Sequence, residues 1–223
     1  MGLLTNEQGA YLWTGGDSGL DATSINNYGE IVTSGPTNIT GGISFSTFNN
    51  GPSGTIINGG ILSTAPDGMF TNAGIVTLLA QPCPPCSDTG MFEGGTYIQT
   101  ARLTVDDYYM QTTALDLEGG IFEFGSSQPL KTESLTLGPE SILYTTGTYA
   151  PGSILTVAEY TSLAGTFGSI DGIPFPGSTW DVMYGSDSLT LTATPEPSGL
   201  TLLALAVLVA AGFGLRRRIT TAS

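Results

Sequence analysis

INNYGEIV, Ile25–Val32, sets a pattern that three later phrases repeat: ITGGISF (Ile39–Phe45), IINGGIL (Ile56–Leu62) and FTNAGIV (Phe70–Val76). Each runs apolar, polar pair, glycine, apolar. Asn and Gly tolerate a left-handed φ at low cost, so each phrase reads as a corner followed by a short strand. With Gly29, Gly42, Gly60 and Gly74 as landmarks the intervals are 13, 18 and 14 residues. Spacing that uneven argues against a rigid short-period solenoid and suits a looser coil. A Gly-rich antiparallel sandwich would use similar turns.

Downstream the pattern is a cleaner alternation: Leu135-Thr-Leu137, Ile154-Leu-Thr-Val157, Trp180-Asp-Val182-Met-Tyr184 and Leu189-Thr-Leu191. Period two places one face inward and one outward. No stretch before Gly199 keeps a helical period over a dozen residues, so the body is expected to be all-β. Composition agrees. Of 223 residues only 11% are charged and 32 are glycine, about twice the usual share. Gly, Thr, Ser and Asn in such numbers suit many short strands and tight turns.

Charge and residue types then exclude whole classes of function. The chain before Arg216 holds two basic residues, Arg102 and Lys131, against all 19 acidic ones. Neutralising phosphates takes Lys and Arg in number, so nucleic acid is not a partner. There is no histidine, which removes the commonest general base and metal ligand. Gly16-Asp17-Ser18-Gly19 has the look of a serine-protease nucleophile segment, but without an imidazole it is a turn.

Cys83-Pro84-Pro85-Cys86 lies in a Pro-rich loop rather than at a helix start in a βαβ pattern, which disfavours a redox motif. No second Cys pair or His completes a zinc site, so no metal is expected. Outside the cytoplasm Cys83 and Cys86 are expected to form a local disulfide closing a very short loop. No cofactor is expected. The densest acids are Asp106-Asp107 and the trio Asp116, Glu118 and Glu123. Neighbours in a strand point to opposite faces, so Asp106 and Asp107 cannot flank one glycosidic bond. Asp116 and Glu118 could share a face, where a solvated surface or weak Ca²⁺ binding competes with catalysis. A polysaccharide lyase would have to draw its base from Arg102 or Lys131.

The chain closes on TPEPSGLTLLALAVLVAAGFGLRRR, Thr194–Arg218. Gly199–Leu215 holds 17 uncharged residues, Leu200, Leu205 and Val209 among them, with Thr201 as its single polar side chain. As a helix this run is about 25 Å long, at the short edge of what spans a bilayer core. Arg216, Arg217 and Arg218 would stay cytoplasmic and leave everything before Gly199 outside. Pro195-Glu196-Pro197 cannot continue a helix upstream and reads as a stiff, exposed spacer.

Those three elements in that order resemble the PEP-CTERM sorting signal. Bacteria that make extracellular polysaccharide use this signal with exosortase, a membrane transpeptidase-like enzyme. The resemblance implies that exosortase recognises Pro195, Glu196 and Pro197 and processes the chain near them. It also implies a single-pass inner-membrane protein in transit to the cell surface or extracellular matrix, with extracellular polysaccharide among its possible partners. Five residues follow the arginines, a small departure. MGLLTNEQGAYLWTGG at the start has neither a basic n-region nor an apolar stretch of export-signal length. The expectation is therefore a start missing from this sequence, or another export route. Asn6 at the Ser/Thr position excludes myristoylation.

A second resemblance covers the body. ILTVAEYTSLAGTFGSIDGIPFPGSTWDVMYGSDSLTLTAT (Ile154–Thr194) is similar to the closing coils of autotransporter passenger domains, with Gly165-Thr-Phe167 and a Trp-x-Val-x-Tyr strand. YLWTGGDSG (Tyr11–Gly19) is similar to the phrase that often opens them. That resemblance implies a right-handed parallel β-helix, with the tail standing where an autotransporter has its barrel. The expected organisation is an N-terminal segment 1–24, a β-helix body 25–193, a sorting and anchor segment 194–218 and a short cytoplasmic tail 219–223. The expected function is a non-enzymatic exported surface or matrix protein; the alternative is a tail-anchored β-helical glycoside hydrolase using acidic residues.

Overall fold

The computed structural model describes residues 2–15, 20–34, 42–59, 61–79, 91–106, 109–125 and 128–196. Among these residues every regular element is a strand, and all seventeen strands belong to one sheet. The pairings are parallel until the last hairpin. That excludes the antiparallel sandwich and makes the body a parallel β-solenoid.

Three columns of rungs build it. The first contains β1 (Leu3–Asn6), and its register runs Leu3, Ser24, Thr47, Met69, Thr96, Ala114, Ser134 and Ser162. The second contains β2 (Tyr11–Gly15), and its register runs Tyr11, Glu30, Thr55, Ile75, Arg102, Ile121, Ile142 and Ser169. The third includes Ser44, Ser63, Glu93, Gln111, Lys131 and Glu159. Strands β3 (Leu20–Asn27), β4 (Glu30–Ser34), β5 (Gly42–Asn50), β6 (Thr55–Asn58), β7 (Ile61–Asn72), β8 (Ile75–Leu79), β9 (Met91–Glu93), β10 (Thr96–Gln99) and β11 (Arg102–Asp106) follow in chain order. In β12 (Tyr109–Phe124) and β13 (Leu130–Thr145) one long strand passes through all three columns. Strands β14 (Ile154–Gly165) and β15 (Ser169–Asp171) end the parallel stack.

The register corrects the repeat. Leu3, Ser24, Thr47 and Met69 occupy one position, 21, 23 and 22 residues apart. The glycine phrases mark two different corners. Ile25–Val32 and Phe70–Val76 turn from the first column to the second, whereas Ile56–Leu62 turns from the second to the third. Residues 39–41 of the remaining phrase, and Gly60, lie outside the described residues. The stack also starts before residue 25, because β1 and β2 are already its rungs, and β17 (Ser188–Pro195) carries it to Pro195.

Two inward columns hold the coils together. Phe48, Phe70 and Tyr97 are register partners, fully buried, with ring centroids 4.7 and 4.9 Å apart and planes within 20°. Those separations equal the rung spacing of a sheet, so identical rotamers stack without adjustment. Beside them runs a buried amide ladder. The Nδ2 of Asn6 donates to Asn27 Oδ1 (2.8 Å), Asn27 to Asn50 (2.7 Å), Asn50 to Asn72 (2.7 Å), and Asn72 to Gln99 Oε1 (2.9 Å). The same amides donate to the corner carbonyls of Glu30, Thr55, Ile75 and Arg102. Each corner thus turns on a side chain that supplies the hydrogen bonds its backbone lacks.

The far end is closed. Antiparallel β16 (Ser178–Tyr184) and β17 pair with each other, and β17 lies antiparallel along β14. Leu189, Leu191 and Ala193 are buried, and Trp180 Nε1 donates to Thr145 Oγ1 at 2.8 Å. A hairpin there covers what would otherwise be an open edge.

Candidate functional site

The solenoid carries one broad groove on its third column, at the corner leading to the first. Its volume is about 860 Å³. The floor follows one register line, Ser63, Gln111, Lys131, Glu159 and Ser188, so the groove runs along the solenoid axis. Nine of the fifteen lining residues are Ser, Thr or Tyr, which makes the wall a field of hydroxyls. Its charges are Lys131, Glu133, Glu159 and Asp187, with Lys131 Nζ 3.7 Å from Glu159. Among the described residues the single lining aromatic is Tyr160, which is buried and donates to the carbonyls of Gly185 and Ser188 at 2.9 and 3.0 Å. Burial first, then the charge of Asp187, raises its hydroxyl pKa above the usual tyrosine value.

The acids singled out from the sequence lie elsewhere. Asp116 sits on the first column between Ile98 and Thr136. Its Oδ1 is buried without a hydrogen-bond partner, and its pKa is raised, first by burial and then by the charge of Glu118. The coupling fits the expectation that Asp116 and Glu118 share a side. Glu123 belongs to the second column, where it meets the Arg102 guanidinium and accepts from Thr104 Oγ1 at 3.1 Å. The trio is therefore split between an orphaned carboxylate and an ion pair. Asp106 ends β11.

Asp116 yields a test. A carboxyl whose folded pKa lies above its unfolded one costs stability when ionised, and the cost fades as pH falls through the carboxylate range. Asp116→Asn should therefore raise the urea midpoint at pH 7, and the gain should shrink by pH 4. A lower midpoint at pH 7 would mean that the carboxylate is satisfied.

Among the described residues no three acids or cysteines group as a metal site, and no helix is long and apolar enough to cross a membrane. Gly16–Gly19, Cys83, Cys86, Asp107, and Pro197 through Arg218 with the span Gly199–Leu215, lie outside the described residues. Pro195 ends β17 opposite Ser178, and Glu196 N donates to Gly177 O at 2.9 Å, both residues being exposed. Comparison with protein-family models, curated proteins and solved structures finds no match.

Sequence reasoning missed the groove and the ladder. The ladder's signal was present: Asn6, Asn27, Asn50 and Asn72 recur at the coil length, each just before a corner, while glycine positions drew the eye to a mixed period.

Proposed function

We propose that this chain is a non-enzymatic exported surface or extracellular-matrix protein, its right-handed solenoid body held outside the membrane by a C-terminal PEP-CTERM anchor. One observation carries the reading: a Pro-Glu-Pro spacer, a 17-residue uncharged run and three arginines follow one another at Thr194–Arg218. An exosortase-like enzyme reads Pro195, Glu196 and Pro197, the run Gly199–Leu215 spans the inner membrane, and Arg216–Arg218 stay in the cytoplasm. The exposure of Pro195 and Glu196 supports this, since a processing enzyme needs its segment on the surface. So does the body, whose mutually buried coils and ladder serve persistence and spacing.

Catalysis by the acids is disfavoured. Asp116 lies between Ile98 and Thr136 on the neighbouring rungs, Glu123 is held by Arg102, and in the groove Glu159 stands beside Lys131. The deciding experiment fractionates cells expressing the full-length gene with and without Arg216–Arg218. The intact protein is expected in the membrane and surface fractions, and deletion of the arginines should disturb its orientation. Intact protein that stays soluble in the cytoplasm would defeat the proposal.

A further inference from the structure

We infer that the groove of the third column is a binding site for an uncharged polysaccharide lying along the solenoid axis. The inference deepens the surface-protein reading and rests on it only for the polymer being within reach of the body.

Shape comes first. From Ser63 to Ser188 the floor crosses five rung steps, about 24 Å of continuous trough. That is room for several units of a polymer rather than for one small molecule. Chemistry narrows the class. Ser63, Thr113, Thr156, Thr161 and Ser188, none of them buried, offer hydroxyls that donate and accept, the complement of a sugar's own hydroxyls. Three carboxylates against one ammonium repel polyanions, and the whole chain at net charge −14 adds to this. Among the described residues no exposed ring lines the trough, so an apolar ligand gains little there.

Gln111 and Thr113 are exposed on either side of the buried Thr112, so their polar side chains face the trough. Hydrogen bonds without an aromatic platform give weak binding per sugar, multiplied along a polymer.

The test uses full-length protein in mild detergent, run in native gels containing dextran, hydroxyethylcellulose or the polyanion alginate. At least one neutral polymer should retard the protein and alginate should not. Thr113→Arg, which fills the groove, should weaken retention about tenfold, while Thr47→Arg on the first column should run like the parent. Gln111→Ala removes an exposed polar side chain from the floor. It should bind several-fold more weakly with an unchanged urea midpoint, which a merely structural glutamine would not give. Failure of both neutral polymers, retention by alginate alone, or equal retention of Thr113→Arg and the parent overturns the inference. Purified protein that binds although cells keep it in the cytoplasm would sink the sorting proposal alone. Protein that reaches the surface and does not bind would sink only the groove.

Discussion

Asn50→Ala is expected to remove about 2–4 kcal/mol of stability, a large share of what a domain this size holds. Asn50 is fully buried in the middle of the amide ladder. Its Nδ2 donates to Asn72 Oδ1 at 2.7 Å and to the carbonyl of Gly54 at 3.1 Å, while its Oδ1 accepts from Asn27 Nδ2 at 2.7 Å. Truncation leaves a donor on one coil and an acceptor on the next facing a void. Asn27 keeps its bond to Thr55 O, and Asn72 Oδ1 keeps the amide of Gly74, so part of the loss is softened. Asn6→Ala, at the end of the same ladder, breaks one amide link and one carbonyl contact and should cost about 1 kcal/mol.

Asn50→Asp adds a sign. Its carboxylate would confront Asn72 Oδ1 acceptor to acceptor, whereas the protonated form can donate. Its folded pKa would therefore lie above the unfolded one, and stability should recover as pH falls through the carboxylate range. Urea denaturation of the three variants checks the set. A loss at Asn50 no larger than at Asn6 would show that the ladder does not couple the coils.

The class of fold was legible because its signals are local. Period-two alternation in Leu135–Leu137 and Leu189–Leu191 records side chains alternating across a pleat, and these leucines are buried in the solenoid. Corners at Asn and Gly were legible for the same reason. The parallel pairing came only through the resemblance to passenger coils, and the length of a coil was not legible, since both are relations between residues about twenty apart. Phe48, Phe70 and Tyr97 look unrelated in the chain and become one stack only once the register is known. The acids show the same limit. Asp116 and Glu123 are close in sequence, but the corner between them sends one to the first column and the other to the second. The groove was illegible outright, being assembled from short pieces of β7, β12, β13, β14 and β17 that carry no motif.

Gly120→Ala should be among the costliest glycine substitutions in the described residues, and Gly152→Ala separates its two causes. Both glycines have a left-handed φ, +76° and +80°, so both substitutions carry the conformational penalty of an L residue there, roughly 1 kcal/mol. Their surroundings differ. A Cβ at Gly152 meets nothing within 4 Å, whereas at Gly120 it would fall 1.8 Å from the Ala101 carbonyl oxygen on the preceding coil. That oxygen cannot step aside, because it accepts from Ile121 N at 2.7 Å, a bond that ties the two coils at this corner. Relief requires the rungs to part just after a shift of register against β13, which falls between Leu117 and Gly119. Gly152→Ala is therefore expected to cost about 1 kcal/mol, and Gly120→Ala at least about 3 kcal/mol or the folded state itself. Unfolding midpoints of the purified variants, with circular dichroism to confirm β content, give the comparison. Equal losses at the two sites would mean that the coils are not stacked this tightly at the corner, and that conformational preference alone explains the glycine.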